Sequence, residues 1–402
     1  MMTAIISAKY PTMEFDIIIV GGGLVGASLA ASLRHSGLSL ALVESQCSPA
    51  LPEDPELADW DSRIYAISPG SRRFLEEAGA WDHLATRRVA PVEQMRVFGD
   101  EGAKLEFSAY QMGVPELACI LENRELQHAL WQVLRHQDNL TLLQPARCAS
   151  LTVGADAAEL TLQDGPRIKA KLVVGADGRD SWVRNQVGLG ATPTDYHQHG
   201  VVANFTTALP HRGIAYQWFQ PDGILALLPL PGNRVSMVWS VSPEKSAELL
   251  ALTHEELCAK VSAAAQHTLG DMQIVTPAAA FPLRLLVLPQ IASPRIALIG
   301  DAAHNMHPLA GQGVNTGFRD ARQLMQTLLE RGGCADCGDA QLLRRYDRKR
   351  KEDIWSMQAT TYSLKHLFNN DDPILRKLRN LGMDATNHLI PLKKLLVQHA
   401  LN

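Results

Sequence analysis

Three glycines, Gly21, Gly23 and Gly26, follow an apolar run at 15–20 on the spacing G-x-G-x-x-G. The first glycine permits a tight turn, the second lets a pyrophosphate approach the backbone, and the third lets helix and strand pack closely. Glu44 closes a second apolar run at 38–43, where a carboxylate can accept hydrogen bonds from a ribose diol. These residues predict a dinucleotide whose adenosine ribose lacks a 2′-phosphate, hence NAD or FAD rather than NADP. A second set stands far along the chain, in "ALIGDAAHNMHPLAGQGVNTGFRDA" at 297–321. Its apolar start runs into Gly300-Asp301, then a loop at 308–313 containing Gly311 and Gly313, then a helix. Glycines let backbone N–H groups approach a ligand closely, and a helix opening after such a loop turns its positive end towards it. A flat, electron-rich or anionic ligand is the expectation. A third set, "KLVVGADGRDSWVR" at 171–184, repeats the plan, with Asp177-Gly178 as the turn and Ser181 and Arg184 on the following helix.

These residues need elements to hold them. A strand at 15–20, a helix at 27–35 and a strand at 38–43 make a βαβ unit around the glycine run. Arg63 stands in "DSRIYAIS", ahead of a helix at 69–78, and a hairpin is expected at 94–98 and 104–107. Residues 120–137 read as one amphipathic helix with Leu126, Leu130 and Leu134 on its stripe and Arg124 on the side away from it. Strands follow at 140–143, 149–153 and 159–162. Two strand-turn-helix crossings besides the βαβ unit imply a sheet whose strand ends look onto one ligand.

From 200 to 241 the text changes to four strand candidates separated by Pro, Gly and Asn turns, the mark of a second, largely antiparallel sheet. Trp218, Phe219, Leu227, Leu228, Met237 and Trp239 lie in these strands. Core packing accounts for each taken singly, while together they suggest one sheet face over the ligand. Helices are expected at 243–252 and 253–267, after which residues 278–288 lead back to the first domain. The remainder reads as helical. Residues 340–402 carry 12 Lys and Arg against 6 Asp and Glu, with Leu and Ile between them. That composition suits a helix packed on the body or a contact with an acidic membrane surface.

Composition narrows the function. A chain of 402 residues with 46% hydrophobic and 20% charged residues has room for two or three domains. A net charge of −4 argues against nucleic acid as a partner. No apolar run reaches the roughly 20 residues of a membrane span. Residues 1–12 lack the basic and apolar regions of a secretory signal, and Met13 is a possible alternative start. Six scattered cysteines suit a reducing compartment, and Cys334 and Cys337 lack a second pair of ligands, so no metal is expected.

"GGGLVG", "GADGRDSWVR" and "GDAAHNMHPLAGQGVN" resemble the three flavin fingerprints of the single-component flavoprotein aromatic hydroxylases. Arg63 in D-x-R-x-x-A-I, Arg124 in N-R-x-L, "LALLPL" at 225–230 and "FPL" at 281–283 are similar to the branch that hydroxylates ubiquinone precursors. Asn305-Met306 and the "QWFQPDGILALLPL" form of the substrate motif depart from the commoner pattern. The resemblance implies an α/β fold: a Rossmann-like FAD-binding domain, an inserted mainly antiparallel β-sheet substrate domain and a helical C-terminus. The implied division gives FAD segments at 13–75, 111–190 and 286–335, substrate segments at 76–110 and 191–285, and a helical region at 336–402.

By the same resemblance, Gly21, Gly23 and Gly26 hold the FAD pyrophosphate and Glu44 the adenosine ribose. Arg63 and Arg124 contact phosphates or the ribityl chain, and Asp177 serves FAD and a transient NAD(P)H. Gly300 and Asp301 face the ribityl or pyrophosphate side, and Pro308, Gly311, Gln312, Gly313 and Asn315 line the isoalloxazine ring. The implied reaction is hydroxylation of a polyprenylated phenol or quinol with O2, through a flavin 4a-hydroperoxide. No side chain is assigned as a base; His304 and His307 are read as structural, bonded to backbone in the turn. A small soluble aromatic acid or quinolone as substrate, and a non-catalytic flavoprotein scaffold in a biosynthetic complex, are the alternatives. A cytoplasmic protein, peripheral at the inner membrane and in contact with a ubiquinone-biosynthesis complex, is compatible with the sequence, as is a homodimer.

Overall fold

The computed structural model describes residues 12–47, 59–99, 103–163, 165–190, 194–305, 312–332 and 336–368. Five strands form a parallel sheet in the order Ile296–Leu298, Arg167–Gly175, Met13–Val20, Leu40–Val43 and Leu140–Leu143. Ile17, Ile18 and Ile19 are fully buried, as expected of strands covered on both faces, which need continuous rather than alternating apolar text. The first half of Arg167–Gly175 also pairs antiparallel with Ala158–Leu162, which pairs with Cys148–Val153. Helices Leu24–Ser32, Asn123–Arg135 and Gln312–Leu329 join this sheet's hydrophobic core.

The helix expected over 120–137 begins later. Ala118–Glu122 is a strand, paired on one side with Ile64–Ile67 and on the other with Ala90–Val92. Pairing on both sides at Cys119 and Ile120 holds the segment extended, and the helical stripe of Leu126, Leu130 and Leu134 starts only after Glu122.

The second large sheet runs Met272–Ile274, Thr194–Thr207, Arg234–Val241, Gly223–Leu230, Ile214–Gln220, Gln94–Phe98 and Lys104–Ser108. Its pairings are antiparallel except that between Ile214–Gln220 and Gln94–Phe98. Ala279–Leu285, expected to lead back to the first domain, is instead a strand of this sheet beside residues 194–202. The return comes just after it, where Leu286 bridges to Asn305.

Successive residues of a strand point to opposite faces, and this corrects the reading of the six large apolar side chains. Trp218, Leu227, Met237 and Trp239 pack with Leu249, Leu257 and Val261 of helices Pro243–Ala251 and His254–Ala264. Phe219 and Leu228 stand on the opposite face, Leu228 among residues of the three-stranded sheet. The last described helix is Ala340–Phe368, and the basic, Leu-rich end at 369–402 lies outside the described residues. Among the described residues no helix is long and apolar enough to cross a membrane.

Candidate functional site

The three glycine- or aspartate-bearing turns meet at one place. At Gly21 (φ +106°) a Cβ would sit 2.4 Å from the carbonyl oxygen of Ala176, and at Gly26 one would sit 2.0 Å from the Gly21 oxygen. No larger residue fits either position, so the first turn lies directly against the second. A Cβ on Gly300 would meet Val25 at 3.2 Å, which joins the third turn to the first. Arg184, buried, donates to the Arg179 oxygen (2.9 Å) and the Ala302 oxygen (3.0 Å), which joins the second turn to the third.

Gly23 caps helix Leu24–Ser32 without a side-chain hydrogen bond, and nothing lies within 4 Å of its Cβ direction. The helix start thus carries no side-chain cap and has open space beside Gly23, and a helix N-terminus of this kind attracts an anion. Glu44 is held beside it: Oε2 accepts from Gly22 N at 2.7 Å and Oε1 from Gln46 N at 2.9 Å. Trp131 supports the turn from below, donating from Nε1 to the Gly22 oxygen at 3.0 Å. Its sequence context marks it merely as a helix residue near a buried stripe, so nothing in the sequence singled it out.

Asp177 is committed within its own turn. Oδ1 accepts from Ser181 Oγ at 2.5 Å and Oδ2 from Val183 N at 3.0 Å, so the carboxylate caps helix Trp182–Gln186.

The third turn follows strand Ile296–Leu298. Asp301 is exposed on it, while Gly300, Ala302 and His304 are buried. Helix Gln312–Leu329 already includes Gly313, which was expected in the loop. Pro308 and Gly311 lie outside the described residues, as do His307 and the side chain of Gln312. The Asn315 side chain turns to protein rather than to open space. Its Oδ1 accepts from Ser68 N (2.9 Å) and its Nδ2 donates to the Ala66 oxygen (2.8 Å), pinning strand Ile64–Ile67 to this helix. Tyr65 of that strand lies between Arg63 and Asp301; burial raises its hydroxyl pKa and the Asp301 carboxylate adds to the rise, against the opposing pull of Arg63.

His304 takes the structural role expected of it, through a different partner. Its Nε2 lies 2.7 Å from Asp320 Oδ2, not on a backbone group. Asp320 also accepts from Gly300 N (2.8 Å) and from Arg350 Nε (2.6 Å). Arg350 reaches Asp353 at 2.6 Å, which reaches Arg319 at 3.2 Å. Burial disfavours the Asp320 charge, but His304, Arg350 and the Gly300 N–H outweigh it and hold the pKa below the ordinary value. This buried ionic cluster escaped sequence reading, because its members lie in three segments and look like surface charges in a helical text.

Arg63 and Arg124 gather round Asp61. Asp61 Oδ1 accepts from Arg63 N (2.9 Å) and Oδ2 from Arg124 N (3.3 Å). Its own N–H donates to Glu122 Oε1 (2.6 Å), and its carbonyl accepts from Asn204 Nδ2 (2.8 Å) of the antiparallel sheet. Glu122 in turn takes a two-pronged contact from Arg88, at 2.8 and 3.0 Å, with 0% and 6% of the two side chains exposed. Arg88 stacks on Trp60 at 4.0 Å, and Arg234 of the antiparallel sheet approaches the same ring at 5.4 Å.

The sheet face away from its helices carries Val202, Ala226, Leu228 and Val238, each half-buried where the helix-facing neighbours are fully buried. This face meets the three-stranded sheet at Ala215, Leu228 and Leu230, and that sheet is tied to the start of helix Gln312–Leu329 through Asn315. The uncapped helix start at Gly23, the Glu44 carboxylate beside it, the exposed Asp301 and this apolar face fit a dinucleotide carrying a flat ring.

Comparison with known proteins agrees. The family profile described as the FAD binding domain matches residues 14–361. The ubiquinone hydroxylase UbiL of Rhodospirillum rubrum is 38% identical over 391 residues, covering 96% of this chain and 89% of that protein. The 3-demethoxyubiquinol 3-hydroxylase of Escherichia coli is 37% identical over 391 residues, covering 96% of this chain and 98% of that protein. Among solved structures, PqsL of Pseudomonas aeruginosa, a probable FAD-dependent monooxygenase, has a TM-score of 0.76 at 23% identity, over 93% of this chain and 100% of that chain. At that identity it supports the fold.

Proposed function

The chain belongs to the FAD-dependent ubiquinone-biosynthesis hydroxylases, within the single-component flavoprotein aromatic hydroxylases, and from this premise we propose that it hydroxylates the ring of a polyprenylated phenol or quinol using NAD(P)H and O2. The observation that carries the substrate class is the sheet face of Val202, Ala226, Leu228 and Val238, half-open and apolar. Arg234, the cation at its edge, is spent on Trp60 and on the Pro231 oxygen. A small aromatic acid would need a free cation at that place.

Bound FAD supplies the activation of O2 that no side chain can provide. The residues proposed to hold it are Gly21, Gly23 and Gly26 at the pyrophosphate, Glu44 at the adenosine ribose, Arg63 and Arg124 at phosphate or ribityl oxygens, and Gly300 and Asp301 on the ribityl side. Pro308, Gly311, Gln312, Gly313 and Asn315 would line the ring. Asn315 does so through its backbone, because its amide is engaged elsewhere. The first-turn N–H groups of helix Gln312–Leu329 favour negative charge on the ring, and the apolar sheet face excludes water from it. With one complete glycine fingerprint in the chain, the nicotinamide cofactor binds transiently, and Asp177 shapes its turn rather than offering a free carboxylate.

The proposed division assigns 13–75, 111–190 and 286–335 to FAD, 76–110 and 191–285 to substrate, and 336–402 to a C-terminal helical region. That last region is basic enough for contact with an acidic membrane surface, where such a substrate and its biosynthetic complex would be met. The decisive experiment is lipid analysis of a strain lacking this protein. Accumulation of one under-hydroxylated polyprenylated ring is the expected result; normal ubiquinone with no such intermediate would overturn the reading.

A further inference from the structure

Gln217 is a largely buried residue whose polar end meets solvent rather than a protein partner among the described residues. It lies in a row across the antiparallel sheet whose register runs Val97, Gln217, Ala226, Val238, Val202 and Ala279. Every other member of the row is apolar, and the residue is 6% exposed. Its carboxamide makes no hydrogen bond among the described residues. A glutamine amide has two donors and an acceptor, and neither amide atom of Gln217 is sealed from solvent, so both are open to a molecule that enters along the half-open face.

Two comparisons within the same sheet sharpen the point. Gln220, on the same strand but facing the helices, is satisfied by donating to the Ala264 oxygen at 2.7 Å. Asn204 and Ser236, in the adjacent row, keep an unmatched Oδ1 and Oγ that, unlike the Gln217 amide, are sealed from solvent. Both residues are 0% exposed, and Asn204 is tied to Asp61. Gln217 instead shares its row with the half-exposed Val202, Ala226 and Val238. No charged side chain stands in this row or in the rows on either side of it, which hold Asn204, Ser236 and Leu228 on one side and Gly200, Ser240 and Ile224 on the other.

We propose that the Gln217 carboxamide is the specificity-determining contact for an uncharged oxygen substituent, a phenolic hydroxyl or methoxy group, on the substrate's aromatic ring. The inference rests on the proposed function and adds to it the polar determinant of ring recognition. The amide can donate to an ether oxygen and accept from a hydroxyl, so it tolerates a ring at different stages of oxygenation. With no charged side chain in its own row or the adjoining ones, the sheet offers a carboxylate no counter-charge to offset its desolvation.

The test uses the FAD-loaded protein and two probes, 2-geranylphenol and geranylbenzene, titrated by the change in flavin absorbance. Wild type should bind the phenol about tenfold more tightly than the arene, the size of one hydrogen bond. Gln217→Met, close in volume, should lose about tenfold in affinity for the phenol and leave the arene unchanged, with FAD content and thermal unfolding as in wild type. Should that variant not fold, the wild-type preference between the probes still decides. Equal affinity of wild type for both probes, or an undiminished phenol affinity in Gln217→Met, overturns the assignment to Gln217 while leaving the proposed function standing. A wild-type protein that binds neither probe overturns the proposed function and this inference with it.

Discussion

His304 Nε2 lies 2.7 Å from Asp320 Oδ2, with 3% and 0% of the two side chains exposed. The same carboxylate accepts the Gly300 N–H at 2.8 Å, so the helix behind the third turn grips the turn's backbone and its histidine together. Removing one partner of a buried ionic cluster costs about 3–5 kcal/mol. Asp320→Asn should fall near the lower end, because Arg350 keeps Asp353. Denaturant unfolding measures the loss. The pH dependence has a definite sign. Asp320 has a folded pKa below its ordinary 3.8, so its charge contributes fully above that value and is lost as pH falls through the folded pKa. The stability gap between wild type and Asp320→Asn should therefore be at its full size above pH 3.8 and shrink as pH falls below that value. A gap that stayed the same size however far the pH was lowered below 3.8 would show that Asp320 acts by shape, not charge.

The Arg88–Glu122 pair makes a different forecast. Burial raises the Glu122 pKa despite the Asp61 N–H and the arginine beside it, so the charge is tolerated rather than favoured. Arg88→Met leaves that carboxylate unpaired and should cost about 3–5 kcal/mol. Replacing both, with Glu122→Leu, should recover most of the loss, since apolar isosteres of buried pairs are often neutral. Recovery should be incomplete by about 1 kcal/mol, because the Asp61 N–H loses its acceptor. A double-mutant cycle reads both terms; a double variant no better than Arg88→Met would refute the account.

The parts of the fold governed by local periodicity were legible in the sequence. The βαβ unit around Gly21, the strands at 223–230 and 234–241, and the helix expected after Gly313, which starts slightly earlier at Gln312, all follow from patterns within a dozen residues or so. What stayed hidden was decided between distant segments. Ala118–Glu122 became a strand because two other strands flank it. The sides taken by Trp218 and Leu228 depended on which face the helices at 243–264 would cover. Asp61, Asp320 and Trp131 act through partners more than 15 positions away, and a single sequence has no signal for such pairs.

Gly22, the middle glycine of the first run, is held by Trp131. A Cβ there would lie 2.7 Å from the indole ring and 3.2 Å from Glu44 Oε2. Gly22→Ala should displace both the indole and the carboxylate and leave the purified protein with little FAD. Trp131→Phe removes the donor to the Gly22 oxygen and should cost about 1 kcal/mol of stability, with a smaller drop in FAD content. Flavin absorbance per protein, measured after dialysis, ranks the two. Equal retention by Gly22→Ala and wild type would remove this contact from the cofactor site.

Gly317 sits where helix Gln312–Leu329 crosses helix Leu24–Ser32. A Cβ at that position would lie 2.6 Å from Val25 Cγ2 and 3.3 Å from the Gly300 Cα. Helix Gln312–Leu329 can thus approach the glycine turn only because residue 317 has no side chain. Gly317→Ala would gain helix propensity, up to about 1 kcal/mol, but the clash should outweigh it, costing about 1–3 kcal/mol as overpacked cores do. Val25→Ala removes the opposing methyl groups, so the double variant should regain both stability and FAD content. The contact at Gly300 Cα is longer and involves no side chain that could be removed, which sets how complete the rescue can be. If Gly317→Ala were as stable as wild type, the two helices would have room to part, and the close convergence of the first and third turns would not be a requirement of the site.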